Sequence, residues 1–192
     1  MKVLAVILAG GQSFRMGQDK AGMPFGEGTM LTHLIGTYRE RFDVAVSVRE
    51  AGRFDTVGTP ELMDLHPGQG PLAGLEAAFR QTEAEVVFLT ATDLPFGDAA
   101  LAEELVRRLG TSDACILRRR DGKIEPLFGV YRRGYLPVVE RCLETGRRSC
   151  RALLDQLQVR WVEEDEVKDW DLEQVLQNVN TPEEYQRAIR RI

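Results

Sequence analysis

Three features of the sequence predict an α/β fold, a single three-layer αβα domain with a mainly parallel sheet and an antiparallel portion. Apolar runs of strand length alternate with helix-period patterns, the order that βαβ units impose. The runs 3–8 and 86–92 are apolar almost throughout rather than alternating, as strands covered on both faces must be. Asp121-Gly122, between the apolar runs 114–117 and 127–131, predicts a hairpin with a type I′ turn and so the antiparallel portion. No repeat, low-complexity tract or linker interrupts the pattern, so residues 1–192 are expected to form one Rossmann-like domain.

The elements follow in order. Residues 3–8 form the first strand, and a glycine-rich loop comes next. Met30, Leu31, Leu34, Ile35 and Tyr38 recur at helical spacing and place the first helix at about 29–41. Residues 44–48 are the second strand, and 49–58 a polar connection. The Gly/Pro-rich stretch 64–74 is irregular at its start, but Pro71 suits a first helical position, where its missing N–H costs nothing. Leu72, Leu75, Ala78 and Phe79 give that helix its buried face. The strand 86–92 ends at Asp93-Leu94-Pro95. Asp98 is expected to cap a helix running to about Leu109, with Leu101, Leu105 and Val106 inward. After the hairpin come helices at about 134–144 and 149–157, a strand at 159–162, an acidic stretch 163–166 read as a solvated loop, and a last helix at 182–190.

Composition narrows the function classes. A net charge of −5 argues against broad binding of nucleic acid or of an anionic membrane, and leaves room for a local basic pocket. The longest apolar stretches are far too short to span a bilayer, and the first lacks a signal-peptide pattern, so a cytoplasmic location is expected. Cys115, Cys142 and Cys150 are odd in number and lack metal-ligand spacing, which points to idle thiols.

The chemistry concentrates after the first strand, in Leu8-Ala9-Gly10-Gly11-Gln12-Ser13-Phe14-Arg15-Met16-Gly17-Gln18-Asp19-Lys20. Gly10 and Gly11 let backbone N–H groups approach an anion, and Arg15 and Lys20 supply charge. The spacing is neither a Walker A loop nor G-x-G-x-x-G. It resembles, at each fixed position, the signature of the nucleotidyltransferases similar to molybdenum cofactor guanylyltransferase, and further matches extend the resemblance from Leu4 to about Tyr185.

That resemblance implies a nucleotide-diphospho-sugar transferase-like fold and a set of roles. Leu8, Ala9, Gly10, Gly11, Lys20, Asp64, Gly70 and Asp93 would bind the nucleotide, and Arg15, Lys20 and Asp93 would be catalytic. Asp93, at a strand tip, is a hard oxygen ligand suited to Mg²⁺ beside nucleotide phosphates, although an aspartate there could also cap the following helix. Asp64 matches the family's nucleoside-contacting aspartate; taken alone it reads equally well as a turn former. Asn178 and Asn180, in Asn-Val-Asn-Thr-Pro, resemble the asparagines near the metal and second substrate, and would otherwise belong to a helix cap. Among Arg118, Arg119, Arg120, Arg147, Arg148 and Arg151, one or two are expected to meet an acceptor phosphate, Arg147 being the candidate. His66 is assigned no role.

This chain departs from the family pattern at Arg49, where Asn is frequent, at Glu125, where Gln or His is usual, and at Thr92, where Cys commonly precedes the aspartate. These changes bear on recognition rather than on reaction type. The expected reaction is GMP transfer from GTP to molybdenum-bearing molybdopterin with release of pyrophosphate. The product would be the guanine dinucleotide cofactor, with transient contact to molybdoenzymes or cofactor-delivery proteins. Gly11 favours GTP, since cytidylyltransferases of the same fold tend to have Leu-Ala-Ala-Gly. The rivals are such a cytidylyltransferase, a sugar-1-phosphate nucleotidylyltransferase, and a non-enzymatic nucleotide-binding adaptor that would bind GTP and release no pyrophosphate.

Overall fold

A computed structural model describes residues 1–9 and 19–192. Gly10, Gly11 and Arg15 therefore lie outside the described residues. The elements are β1 (Val3–Leu8), a 3₁₀ turn at Lys20–Gly22, a small hairpin of β2 (Pro24–Phe25) and β3 (Gly28–Thr29), then α1 (Met30–Arg39), β4 (Asp43–Val48) and β5 (Glu61–Met63). They continue with α2 (Pro71–Gln81), β6 (Val86–Ala91), α3 (Ala99–Arg108), β7 (Ala114–Arg118), β8 (Ile124–Arg132), α4 (Leu136–Glu144), α5 (Cys150–Leu154), β9 (Val159–Glu163), α6 (Leu172–Val175) and α7 (Pro182–Ile189).

The main sheet has the order β5-β4-β1-β6-β8-β7-β9. β5, β4, β1 and β6 run parallel, β8 is antiparallel to both β6 and β7, and β9 is parallel to β7. One reversed strand thus makes the antiparallel portion. Alternate residues of the central strands feed opposite faces: Ala5, Ile7, Val86 and Phe88 pack with α1 and α3, whereas Leu4, Val6, Val87 and Leu89 pack with α2, α4 and α5. Two buried faces explain why these strands are apolar at every position. A third cluster of Phe25, Met30, Val179 and Ala188 joins the small hairpin to α7.

Local chemistry sets the boundaries. Asp98 accepts a hydrogen bond from the Leu101 N–H at 2.7 Å and caps α3. Gly70, at φ +73°, precedes Pro71 at the start of α2, a left-handed conformation that a side chain would strain.

The hairpin turn differs from expectation. Gly122 has φ +82°, but Asp121 does not have positive φ, and the Gly122 N–H bonds to the Arg119 carbonyl at 2.8 Å. A type I′ turn needs positive φ at both central residues, so this is a three-residue loop, a type I turn closed by a left-handed glycine. The acidic stretch also differs: Glu164–Glu166 form a 3₁₀ turn rather than an irregular loop, with Glu166 accepting from the Glu163 N–H. The fifth helix is shorter than its sequence pattern, ending at Leu154. Among the described residues, no helix is long and apolar enough to cross a membrane.

Candidate active site

The chain runs from β1 outward through β4 to β5, then returns to the other side of β1 as β6. Strand order therefore reverses between β1 and β6, and open α/β sheets bind ligands at the carboxyl ends beside such a reversal. A cavity of about 270 Å³ lies there, lined by Leu8, Lys20, Ser47, Arg49, Asp64, Gly68, Gly70, Pro71, Ala91, Thr92, Asp93, Leu127 and Asn180. Backbone bonds fix its floor: the Ala9 N–H reaches the Ser47 carbonyl at 3.0 Å, and the Thr92 N–H reaches the Leu8 carbonyl at 3.3 Å.

Lys20 enters on the 3₁₀ turn that Asp19 caps by accepting from the Ala21 N–H, and Arg53 pairs with Asp19 at 3.2 Å. Its Nζ donates to Asn180 Oδ1 at 2.6 Å. Burial lowers the Lys20 pKa, and the charges of Asp93 and Glu184 oppose that shift. Asp93 follows β6, and its Oδ1 is shielded from solvent with no hydrogen-bond partner among the described residues. Burial raises the Asp93 pKa, with Lys20 pulling the other way. The Asp93 carbonyl accepts from the Val179 N–H at 2.8 Å, which ties the 178–181 segment to the end of β6.

On the other side of the cavity, Ser47 Oγ donates to Asp64 Oδ1 at 2.8 Å. Burial raises the Asp64 pKa, while the Ser47 hydrogen bond and then the nearby Arg49 charge lower it. The loop from Asp64 to Gly70 is anchored from beneath: His66 Nδ1 stands 2.7 Å from Oε2 of Glu76, a carboxylate buried on α2. Gly74 lets α2 approach β1 and β4 closely, because a Cβ there would overlap the Leu8 Cδ2 methyl and lie 2.7 Å from Ser47 Oγ.

The structure thus gathers Leu8, Lys20, Asp64, Gly70, Asp93 and Asn180 around one cavity. Ala9 sits beneath it with its side chain in the core. Asn178 is separated from Asn180: its Nδ2 lies 3.5 Å from the Leu176 carbonyl, and it lines a different depression with Asp171 and Gln174. Arg147 is exposed on the loop after α4 and does not line the cavity, although the neighbouring Arg148 carbonyl lies 3.7 Å from where a Gly70 Cβ would stand. Arg118 and Arg120 are spent on Glu163 and Asp165. Ser47 was not among the sequence candidates; its signal is a hydroxyl within the valine-rich second strand, at the strand's carboxyl end.

A cavity that presents Lys20 and Arg49, two carboxylates whose pKa burial raises, and the Asn180 amide can neutralise a phosphate chain at one end and read donor groups at the other. Comparison with known proteins places this arrangement in context. Residues 5–162 match the MobA-like NTP transferase domain. A probable molybdenum cofactor guanylyltransferase of Carboxydothermus hydrogenoformans is 36% identical over 185 residues, covering 96% of this chain and 93% of the relative. The probable molybdenum cofactor guanylyltransferase of Methanosarcina mazei is 31% identical, with coverage of 96% and 89%. The crystal structure of molybdopterin-guanine dinucleotide biosynthesis protein A from Archaeoglobus fulgidus superposes with a TM-score of 0.84 at 25% identity, covering 97% of each chain.

Proposed function

The chain belongs to the MobA-like NTP transferase family, and from that premise we propose that it transfers GMP from GTP to molybdopterin in a Mg²⁺-dependent reaction. The observation that carries the reading is the meeting of Lys20, Asp64, Asp93 and Asn180 in one cavity at the strand-order reversal. In the reaction, an oxygen of the acceptor's terminal phosphate attacks the α-phosphorus of GTP. A new P–O–P link forms, the bond from the α-phosphorus to the α,β-bridging oxygen breaks, and pyrophosphate leaves with that electron pair. The attacking phosphate is already nucleophilic, so the chain supplies position and charge rather than a base.

Lys20 neutralises the phosphate chain, with Asn180 orienting its ammonium. Asp64, held by Ser47, accepts hydrogens from the guanine edge or the ribose hydroxyls. Arg15, Gly10 and Gly11 are assigned to the phosphates from the signature in the sequence, and Arg147 to the approach of the anionic acceptor. Asp93 Oδ1, buried and without a hydrogen-bond partner among the described residues, fits a Mg²⁺ ligand, because that ion binds one or two carboxylates together with substrate phosphates. Bound there, Mg²⁺ would supply further charge neutralisation on the triphosphate. Among the described residues no group of three or more His, Cys, Asp or Glu is placed to hold a metal.

The test is to incubate the protein with GTP, Mg²⁺ and molybdopterin and to weigh the product by mass spectrometry. The guanine dinucleotide and pyrophosphate are expected, with loss of both on chelation. A cytidine product formed faster from CTP would overturn the base assignment, and stoichiometric GTP binding without pyrophosphate would overturn the transferase.

A further inference from the structure

Glu184 lies on α7 and does not line the cavity; it borders a separate depression with Gln177, Asn178 and Arg187. It is the third residue of α7, and its Oε2 accepts from the Thr181 N–H at 3.0 Å while Thr181 Oγ1 accepts from the Glu184 N–H at 3.2 Å. That reciprocal pair is a capping box and accounts for the helix start. The same oxygen also accepts from the Asn180 N–H, at 2.6 Å, the shorter of its two bonds. A helix cap does not require this second bond, since Asn180 precedes the cap residue.

The neighbours of Asn180 are fixed by other means. Val179 is fully buried between Phe25, Met30 and Ala188, and its N–H is bonded to the Asp93 carbonyl. Tyr185, one residue beyond Glu184, donates its hydroxyl to the Pro24 carbonyl at 2.5 Å and pins α7 to the hairpin that follows Lys20. Asn180 stands between these two anchors with its amide oxygen on Lys20 Nζ. The Glu184 carboxylate is therefore what sets the peptide plane from which the Asn180 side chain projects.

We propose that Glu184 is a positioning residue: by accepting the Asn180 N–H it aims the Asn180 amide so that Lys20 is held at the phosphate end of the cavity. This rests on the reading that the cavity takes a nucleoside triphosphate. Its distinguishing consequence is that Glu184 acts through Asn180, and neither through the stability of α7 nor through its own charge on Lys20, which Glu184→Gln removes while keeping the acceptor.

A double-mutant cycle tests it on the full chain. Glu184→Ala is expected to lower kcat/KM for GTP by about tenfold, the scale of a lost charge-assisted hydrogen bond, and to lower it by less than about twofold further in an Asn180→Ala background. Glu184→Gln, which keeps an acceptor in place, should recover most of the loss. Thr181→Ala removes the reciprocal half of the cap and should cost similar thermal stability while leaving kcat/KM unchanged. Additive losses in the cycle, or a Thr181→Ala loss of activity matching that of Glu184→Ala, would overturn the proposal.

Amide hydrogen exchange keeps the two readings apart. If the wild type forms no product from GTP, the functional reading fails, and exchange then decides the positioning. Faster exchange at Asn180 in Glu184→Ala, beyond that in Thr181→Ala, sustains the positioning role, and equal exchange in the two variants refutes it.

Discussion

Two charged regions, one at an edge of the sheet and one at its centre, are built on opposite rules. At the β7–β9 edge, Arg118 forks onto Glu163, Arg120 meets Asp165 at 2.6 Å, and Arg108 and Arg160 share Glu166 at 2.9 and 2.5 Å. At the β1–β6 cavity, Asp93 Oδ1 has no hydrogen-bond partner among the described residues, and burial shifts Asp64 and Asp93 upward and Lys20 downward. Charge density is greater at the edge, yet its charges are matched and wet. The cavity holds fewer charges, partly desolvated and without a salt bridge among the described residues, the condition in which a charged ligand gains most. Pairing, rather than abundance, separates a solvated face from a site.

The comparison breaks most readily at the cavity. Lys20→Ala and Asp93→Ala are each expected to lower kcat by about 10²–10³-fold, the usual loss for one electrostatic group at a reacting phosphate, measured by pyrophosphate release. Near-wild-type turnover in both would remove the site assignment. Asp93→Asn should inactivate in the same way while raising the thermal midpoint, by about 2–4 °C for each kcal/mol gained. The sign follows from the raised carboxyl pKa: a folded state that favours the protonated form loses stability as pH rises from the unfolded value through the folded one. At neutral pH the ionised Asp93 therefore opposes folding, and neutralising it relieves that cost.

Gly74→Ala should act next in size. Its Cβ would push on Leu8 and Ser47, both of which face the cavity, and overpacking of this kind costs about 1–3 kcal/mol. Thermal melts should show the destabilisation, and KM for GTP should rise because the displaced side chains enter the ligand space. An unchanged KM would separate the helix contact from the site.

A smaller effect concerns pH. Because burial raises Asp64, the acid limb of kcat/KM for GTP should lie above the ordinary aspartate range. Removing the adjacent cation in Arg49→Met should move that limb to still higher pH, and a limb that stays in place would show Arg49 to be electrostatically idle. Least of all is expected at the paired edge. Arg118→Ala and Arg120→Ala should leave kcat/KM and melting temperature unchanged within error, as exposed ion pairs commonly do.

Much of the scaffold was legible from local chemistry. The central strands declare themselves by uninterrupted apolar runs, α2 by Pro71 and α3 by Asp98, because each signal is contained within a few residues. β5 escapes notice because it is a three-residue edge strand in which Leu62 alone is buried, and α6 because it is a single turn. The pairing of Arg118 and Arg120 is hidden in the sequence because their acids lie 45 residues away, brought alongside by the parallel pairing of β7 with β9.

The site divides in the same way. Asp93 is visible as a carboxylate that ends an apolar strand, whereas the Ser47–Asp64 bond depends on the register of β4 with β5, and the Lys20–Asn180 bond spans 160 residues. Asn178 and Asn180 look equivalent in sequence, and the Val179 N–H on Asp93 together with the Asn180 N–H on Glu184 decides which of them turns into the cavity.

The central claim is that the triphosphate occupies the gap between the ends of β1 and β6. A crystal structure with Mg²⁺ and a non-hydrolysable GTP analogue tests it directly. The expected result is phosphate oxygens within hydrogen-bonding distance of Lys20, a metal on Asp93 Oδ1, and the nucleoside against Asp64. A nucleotide bound elsewhere, with Lys20 still on Asn180 and Asp93 still bare, would contradict the account.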